Sequence, residues 1–551
     1  MKIRSLSRLG LYALLTSSAI RFVHAQQPPQ TLTFHSDSDL NPLALLITSE
    51  PSSDYECGYY FTCPRGTNVS TPGPAIYKSD GTLVWTGAAD GIDDCFDLRT
   101  QTLNGTEVMT MWVGEVIGGW GDGRAIILNS TYNIIHNFTA TFPTGTDLHE
   151  FQIPPVTNST ALLTSYYPLN MDFSSVGGSG DDWLLECAFQ EIDIATNTVL
   201  FSWNASAHVS LSDSYISATS DSTQDNPWDF FHINSVDKDA DGNYLVSARH
   251  YHQIYKVDGQ SGDVIWSLGG KTSSWSLCSN CNFEWQHFGR WRDNYSAISL
   301  FDNASNGSEN DESTGRGMIL DLDFDSMDAT LRTEFLPLQS HPIQSQGNTE
   351  LLPSGDWLLG WGSSPWISEY RANGSMIYSA ALGGQDLSDG PVANYRAFKS
   401  LTWKAYPTAP PSAAILGTNV YVSWNGATEV QAWEALAGDT MGSLNSIANV
   451  SRTSFETNIG IPSSSKYVQL RAYGSDEYIL GSTDVLSTGN GSTVAPGRVA
   501  KPPTSDSSTS TISCGSYSVL QITTSPALNT RTNFTFVFAL LSFCYLWFSF
   551  C

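Results

Sequence analysis

Histidine is scarce in this chain, ten residues in 551, yet six of the ten fall in short polar or aromatic contexts between runs that read as strands. These are DLHEFQ (His149), FFHINS (His232), SARHYHQ (His250 and His252), FEWQHFGRW (His287) and SHPIQSQGN (His341). A neutral imidazole is both a nucleophile and a proton carrier near neutral pH. Arg249, beside His250, presents a planar fork of donors suited to an oxyanion, and Asn234, two residues after His232, adds an uncharged donor. Such a set would grip an anionic group and pass it on. A lone histidine is more often packed in a core or solvated at a surface, so this reading needs a fold that gathers residues distant in sequence.

The stretch HINSVDKDADGNYLVSARH, residues 232–250, places that chemistry around an acidic turn in which Asp237, Asp239 and Asp241 alternate before Gly242. A calcium loop of the EF-hand type needs a Glu at its twelfth position, which here is Ala248, and a helix on either side. A plain β-turn is therefore expected, with calcium at the three aspartates as the weaker alternative. No other metal or cofactor is expected, because CSNC (Cys278–Cys281) lacks a second cysteine pair at zinc spacing.

The elements that must position these residues read as sheet. Charged residues are 15% of the chain and aromatics 12%, and Trp and Tyr recur in short alternating runs. A unit of Gly-polar turn, short strand, second strand and another Gly turn returns as KSDGTLVWTG (78–87), DGNYLVSARHYHQIYKVDGQSGDVIWSLGG (241–270) and SGDWLLGWGSSPWISEYRANGSMIYSA (354–380). Sheet units repeated at this spacing predict a β-propeller, since each blade leaves an apolar face that only its neighbours cover. In a propeller the inner strands converge on one channel. The expected fold is thus all-β: six blades over 26–405, then a small β-sandwich over 406–486. Residues 487–532, rich in Ser, Thr, Pro and Gly, read as a stalk.

A net charge of −28 argues against nucleic acid as a partner and means that an anionic substrate would need a local basic pocket. Residues 1–25 read as a signal peptide, with Lys2, Arg4 and Arg8 before an apolar core from Leu9 to Ile20 and Val23-His24-Ala25 at the cleavage site. Asn-x-Ser/Thr sequons, among them Asn68, Asn104, Asn129, Asn204, Asn303 and Asn373, suit a glycosylated secreted surface. The apolar tail 533–551 ends without basic residues, which fits a GPI signal better than a membrane span. An extracellular or surface-anchored protein is expected, its oligomeric state undetermined. Disulfides are the default there, with Cys57–Cys63 and Cys278–Cys281 as local loops and Cys95 left for Cys187.

The series DFFHINSVDKDADGNYLVSARH, IYKVDGQSGDVIWSLGG, FEWQHFGRW, ISLFDNAS, SQGN, EYRANG and YVSWNGATEV, within residues 74–433, resembles the fungal branch of the arylsulfotransferase (arylsulfate sulfotransferase) family. The resemblance implies a six-bladed propeller whose channel moves a sulfuryl group from a phenolic sulfate ester to a phenol through a sulfohistidine. It assigns the nucleophile to His287 and supporting roles to His232, Asn234, Arg249 and His149, with Ser345 and Gln346 near a later polar position. Two other outcomes remain open: hydrolysis in the same pocket, and a non-catalytic surface module that holds an aromatic or carbohydrate ligand around Trp275, Trp285 and Trp291.

Overall fold

The computed structural model describes residues 28–178, 180–218, 222–384, 390–501, 512 and 514–520. The expected leader and hydrophobic tail lie outside these residues. Among the described residues the regular structure is strand, apart from short 3-10 turns, and no helix is long and apolar enough to cross a membrane.

Six predominantly antiparallel sheets of four or five strands follow one another among the described residues. Sheet I holds Tyr59–Thr62, Ala75–Lys78 and Leu83–Thr86, joined by the late strand Phe398–Ser400. Sheet II runs from Cys95–Leu103 to Ile134–Phe138, sheet III from Phe151–Gln152 to Thr198–Asn204 and sheet IV from Ile233–Lys238 to Val264–Gly269. Sheet V begins at His287–Arg292 and sheet VI at Asn348–Leu351; the early strand Leu45–Ser49 completes the outer edge of sheet VI.

Burial along the strands explains the stacking. Tyr244–Ala248, inside sheet IV, is buried at every position, as a strand covered on both faces must be. Thr198–Asn204, at the edge of sheet III, alternates exposed and half-buried residues along most of its length. The apolar faces meet between neighbouring sheets. Phe61 and Ile76 pack with Met109 and Met111 between I and II, Val108 and Ile127 with Leu163 and Ile192 between II and III, and Phe189 with Val246 between III and IV. Leu245 and Leu268 pack with Leu300 and Leu320 between IV and V, and Phe301 with Leu359 between V and VI. Leu358 and Tyr378 of sheet VI then pack on Tyr60 and Tyr77 of sheet I, which closes a propeller-like ring.

Beyond the ring, Val420, Val422 and Ile459 of one sheet share a core with Trp433, Leu470 and Ala472 of another. That second sheet reaches Arg498–Val499, so strands occupy part of the stretch expected to begin a stalk at 487. The chain then returns to the ring, where Cys514 is bonded to Cys57 and Val519 bridges Ile47.

The disulfides differ from expectation in two of three pairs: Cys278–Cys281 forms, but Cys57 pairs with Cys514 and Cys63 with Cys95. Cys57 and Cys63 flank the extended strand Tyr59–Thr62. Six extended residues span about 20 Å, far beyond what one disulfide bridges. Cys187 is buried in the core between sheets III and IV and carries a free thiol.

The acidic turn forms as a plain turn, the Gly242 N–H donating to the Asp239 carbonyl at 3.1 Å. Asp237 accepts from Gln152 Nε2 and from the Trp291 N–H, each at 3.0 Å, and Asp239 pairs with Lys256 at 2.9 Å. Asp241 is exposed. The three aspartates therefore do not share a common centre.

Candidate active site

Each sheet delivers a side chain at the start of its innermost strand. Phe96 comes from sheet II, His149 from just before sheet III, His232 from just before sheet IV, His287 from sheet V, Gln346 from just before sheet VI and Tyr395 from just before the strand that completes sheet I. All six line one cavity of about 90 Å³, together with Arg249. Left-handed backbone recurs at these strand entrances: His232 has φ 56°, Phe288 φ 57° and Gln346 φ 69°. Non-glycine residues adopt this conformation at an energetic penalty, and such strain concentrates where side chains must be aimed. A bulge between His287 and Arg290 does the same for sheet V. Gly362 supports the Gln346 loop at close range, since a Cβ there would lie 2.4 Å from the Ser345 carbonyl oxygen.

The imidazoles are held by their outer nitrogens. His149 Nδ1 is 2.6 Å from Asp147 Oδ2, and His232 Nδ1 is 2.6 Å from Asp229 Oδ2. His287 Nδ1 is instead 2.7 Å from an amide oxygen, Asn303 Oδ1. The rings of His149 and His232 are 4.8 Å apart and those of His232 and His287 6.5 Å apart. Arg249 donates to His250 Nε2 at 2.8 Å and to the Gln344 carbonyl at 3.0 Å, and lies over the Trp285 ring at 5.4 Å.

Of the residues singled out in the sequence, His149, His232, Arg249, His287, Ser345 and Gln346 meet around this cavity. Asn234 does not line it. Fully buried, it donates to the Gln286 carbonyl at 2.7 Å and so braces the His287 strand against sheet IV. Asp147, Asp229, Asn303 and Tyr395 were not read as site residues. The carboxylates had a signal, an Asp two or three residues before its His; Asn303 was masked by its sequon. Asn68, Asn104 and Asn373 are exposed as glycan acceptors would be, whereas Asn303 is fully buried. Trp275 and Trp291 are buried in the core between sheets IV and V, so the three tryptophans do not form one ligand surface.

Asp229, His232 and His250 offer ligand atoms within 4.8 Å of one another. Their facing atoms are already hydrogen-bonded: His250 Nδ1 donates to the Asp229 carbonyl at 2.8 Å while Nε2 accepts from Arg249, and His232 holds the Asp229 carboxylate. The trio reads as a hydrogen-bonded chain that supports Arg249, not as a metal cradle.

One step further along the same strands lies a buried floor of charge. Arg396 pairs with Asp97 at 2.8 Å and Glu150 at 3.4 Å, Arg99 with Glu150 at 3.1 Å, and Arg290 with Glu150 at 2.6 Å. Burial raises the Asp97 pKa, but Arg99 and Arg396 outweigh it and hold the carboxyl below its usual range. Below the floor a second cavity, of about 580 Å³, opens between the far ends of the inner strands.

Burial, with Arg249 and the neighbouring histidines behind it, pushes His287 well below the ordinary imidazole pKa, and burial does the same to His232 and His250. His252 is pushed down to about 3, again mainly by burial. These rings stay neutral in the fold at a pH where the unfolded chain would protonate them. Stability is therefore lost as pH falls through the ordinary histidine value of about 6.5. Glu284, pushed up to about 7 by burial, and Asp302, pushed up to about 6, act in the opposite sense, because each is protonated in the fold before it is in the unfolded chain. Burial also raises Asp229 and Glu186, which act in the same sense as Glu284 and Asp302, from a starting value below that of histidine. The four histidines begin to lose stability at the ordinary histidine value, so the melting temperature is expected to fall between about pH 7 and pH 5; a rise would show that the carboxyls dominate.

A propeller-like ring of sheets with imidazoles and a guanidinium gathered on its axis defines the class of protein. The chain belongs to the arylsulfotransferase (ASST) family, whose model matches residues 99–383. No curated protein matches. Among solved structures, a Bacteroides caccae protein of unknown function is similar at 12% identity over 62% of this chain and 98% of its own, with a TM-score of 0.37. The Dos1 propeller is similar at 10% identity over 64% and 72%, with a TM-score of 0.29, and the Pseudomonas aeruginosa periplasmic gluconolactonase PpgL at 12% over 74% and 100%, with a TM-score of 0.32. Likeness this slight carries no argument about chemistry.

Proposed function

We propose that this protein is an aryl sulfotransferase of the fungal branch of its family, a six-bladed propeller that transfers a sulfuryl group between phenols by way of His287. The observation that carries the reading is the convergence of His149, His232, Arg249 and His287 on one cavity, with His287 Nδ1 turned to Asn303 and Nε2 accepting a 3.2 Å bond from the N–H of Gln346, itself a cavity residue. The Nε2 lone pair gives up the Gln346 N–H to attack sulfur, and the sulfur–oxygen bond breaks with its electron pair leaving on the phenolate, which takes a proton from water. An acceptor phenol attacks the sulfated nitrogen's sulfur in turn, its proton passes to His149 or His232, and the nitrogen–sulfur pair returns to His287. Arg249 offsets the charge spread over the three oxygens. Phe96, Leu148 and Tyr395 give the cavity an apolar wall for the aryl ring.

By the same reading, residues 1–25 direct the chain into the secretory pathway and 533–551 hold it at the cell surface through a lipid anchor. The two-sheet module after the ring is a β-sandwich between propeller and anchor. Incubation of the purified protein with a chromogenic phenyl sulfate and a phenol tests the function. Sulfated acceptor is expected to form in step with donor loss; donor loss without it would mean hydrolysis, and no reaction across a broad donor panel would overturn the proposal. Arg249→Ala is expected to lower kcat by on the order of 10²–10³-fold, the usual loss when a donor to a developing oxyanion is removed.

A further inference from the structure

His149, His232 and His287 differ in one respect that bears on their chemistry: the first two hold a carboxylate at Nδ1, the third an uncharged amide. The orientation of that amide is fixed by a closed ring of hydrogen bonds. Asn303 Nδ2 donates to the Gln346 carbonyl at 2.9 Å, the Gln346 N–H donates to His287 Nε2 at 3.2 Å, and His287 Nδ1 faces Asn303 Oδ1. A backbone carbonyl only accepts and a backbone N–H only donates. The nitrogen end of Asn303 must therefore face Gln346 and its oxygen end His287, and the His287 proton must sit on Nδ1. Two backbone groups thus settle a tautomer that ring geometry alone leaves open.

We propose that Asn303 is a positioning residue that holds His287 in the Nδ1–H tautomer, and that its lack of charge keeps a sulfated His287 reactive toward the acceptor phenol. The second part rests on the function proposed above. Once Nε2 carries the sulfuryl group, the ring keeps its Nδ1 proton and bears positive charge. That charge disappears when the nitrogen–sulfur pair returns to the ring. A carboxylate at position 303 would stabilise the charged ring and retard its discharge, whereas an amide holds the proton without doing so. The same geometry rules on the sequon Asn303-Ala304-Ser305: both ends of the amide are engaged and the residue is fully buried, so the folded pocket has no room for a glycan there.

The test has two arms. Ten histidines give a sparse spectrum, so long-range ¹H–¹⁵N correlation on ¹⁵N-histidine-labelled protein can read the His287 tautomer without any substrate. Protonated Nδ1 and bare Nε2 are expected in the wild type, and loss of that preference in Asn303→Ala, because the substitution removes the acceptor at Nδ1 and also the donor that holds the Gln346 backbone against His287. Protonation at Nε2 in the wild type, or an unchanged tautomer in Asn303→Ala, would overturn the positioning role whatever the activity. In the second arm, Asn303→Asp is expected to raise the acid limb of the pH–rate profile by about one unit or more. It should also lower turnover about tenfold while the initial burst of released phenol grows, because the sulfated enzyme accumulates. Arg249, His232, His149 and Tyr395 face His287 and are unchanged between the proteins compared. Faster turnover or a smaller burst would overturn the second part. If Asn303→Asp does not fold, burst kinetics of Asn303→Ala with and without added acetate as a mobile carboxylate replace it, slower discharge with acetate being expected and no effect counting against the proposal. Ser305→Ala abolishes this sequon, at the cost of the Ser305 hydroxyl's bonds to Asn310 and the Gly307 N–H, and leaves the neighbouring sequon Asn306-Gly307-Ser308 in place. Peptide mapping of the wild type and the variant is expected to find no glycan on Asn303, and one found there would overturn the assignment. Correct tautomers with no transfer from any donor would leave Asn303 as a positioning residue and sink the sulfotransferase reading by itself.

Discussion

His287→Ala is expected to lower sulfuryl transfer by on the order of 10⁴-fold or more while leaving the fold intact, because the two-step route has no second nucleophile at the same position. His149 and His232 lie in the same cavity, but each is tied to a carboxylate on another sheet entrance and neither carries the Asn303–Gln346 ring of bonds. The loss should appear in kcat for every donor and acceptor, and mass spectrometry of protein quenched with donor alone should find a sulfated peptide in the wild type only. Transfer that survives the substitution would remove His287 from the mechanism and favour direct attack of one phenol on the other's sulfate. Imidazole added to the variant would restore part of the rate if the missing nitrogen is the whole defect.

Arg396→Leu carries the largest expected loss of stability, about 3–5 kcal/mol, which is typical when one member of a buried charge network is removed and its partners remain. Asp97 and Glu150 would be left facing Arg99 and Arg290 alone, and the Asn234 carbonyl would lose the 2.7 Å donor that Arg396 supplies. The midpoint of denaturant unfolding measures this. An unchanged midpoint would mean that water reaches the floor and solvates the stranded carboxylates. Activity should fall with stability, since the floor carries the same strands that aim His149, His287 and Tyr395.

Much of this site could be read from the sequence. Strand alternation and recurring Gly turns announced sheet, and the histidine contexts named the residues that meet on the axis. What escaped were relations across hundreds of residues. Phe398–Ser400 pairs with Tyr59–Thr62, and nothing in either segment marks the other as its partner. The cysteines misled for the same reason: nearness in sequence suggested Cys57–Cys63, but an intervening strand holds its ends apart. Asn303 was legible in the wrong sense, because three residues that satisfy a glycosylation pattern say nothing of burial. Asn234 stands two residues after His232, a spacing that regular strand alternation would put on one face. The left-handed backbone at His232 and the irregularity between Ile233 and Ser235 break that alternation, and its amide went to the neighbouring sheet instead of the cavity.

The closure of the ring sets a schedule for the molecule's making. Its innermost strand in sheet I is Phe398–Ser400, more than three hundred residues after the partner strand Tyr59–Thr62. At ordinary synthesis speeds of about 5–20 residues per second, that partner waits on the order of half a minute. Throughout the delay the growing chain is an open arc. Its apolar ends stay wet and its imidazoles have no opposing wall. Competence to react therefore arrives at once, when the last segment docks, and a chain cut short before that moment should be inert instead of partly active, prone to stick to its neighbours and in need of a chaperone's shelter.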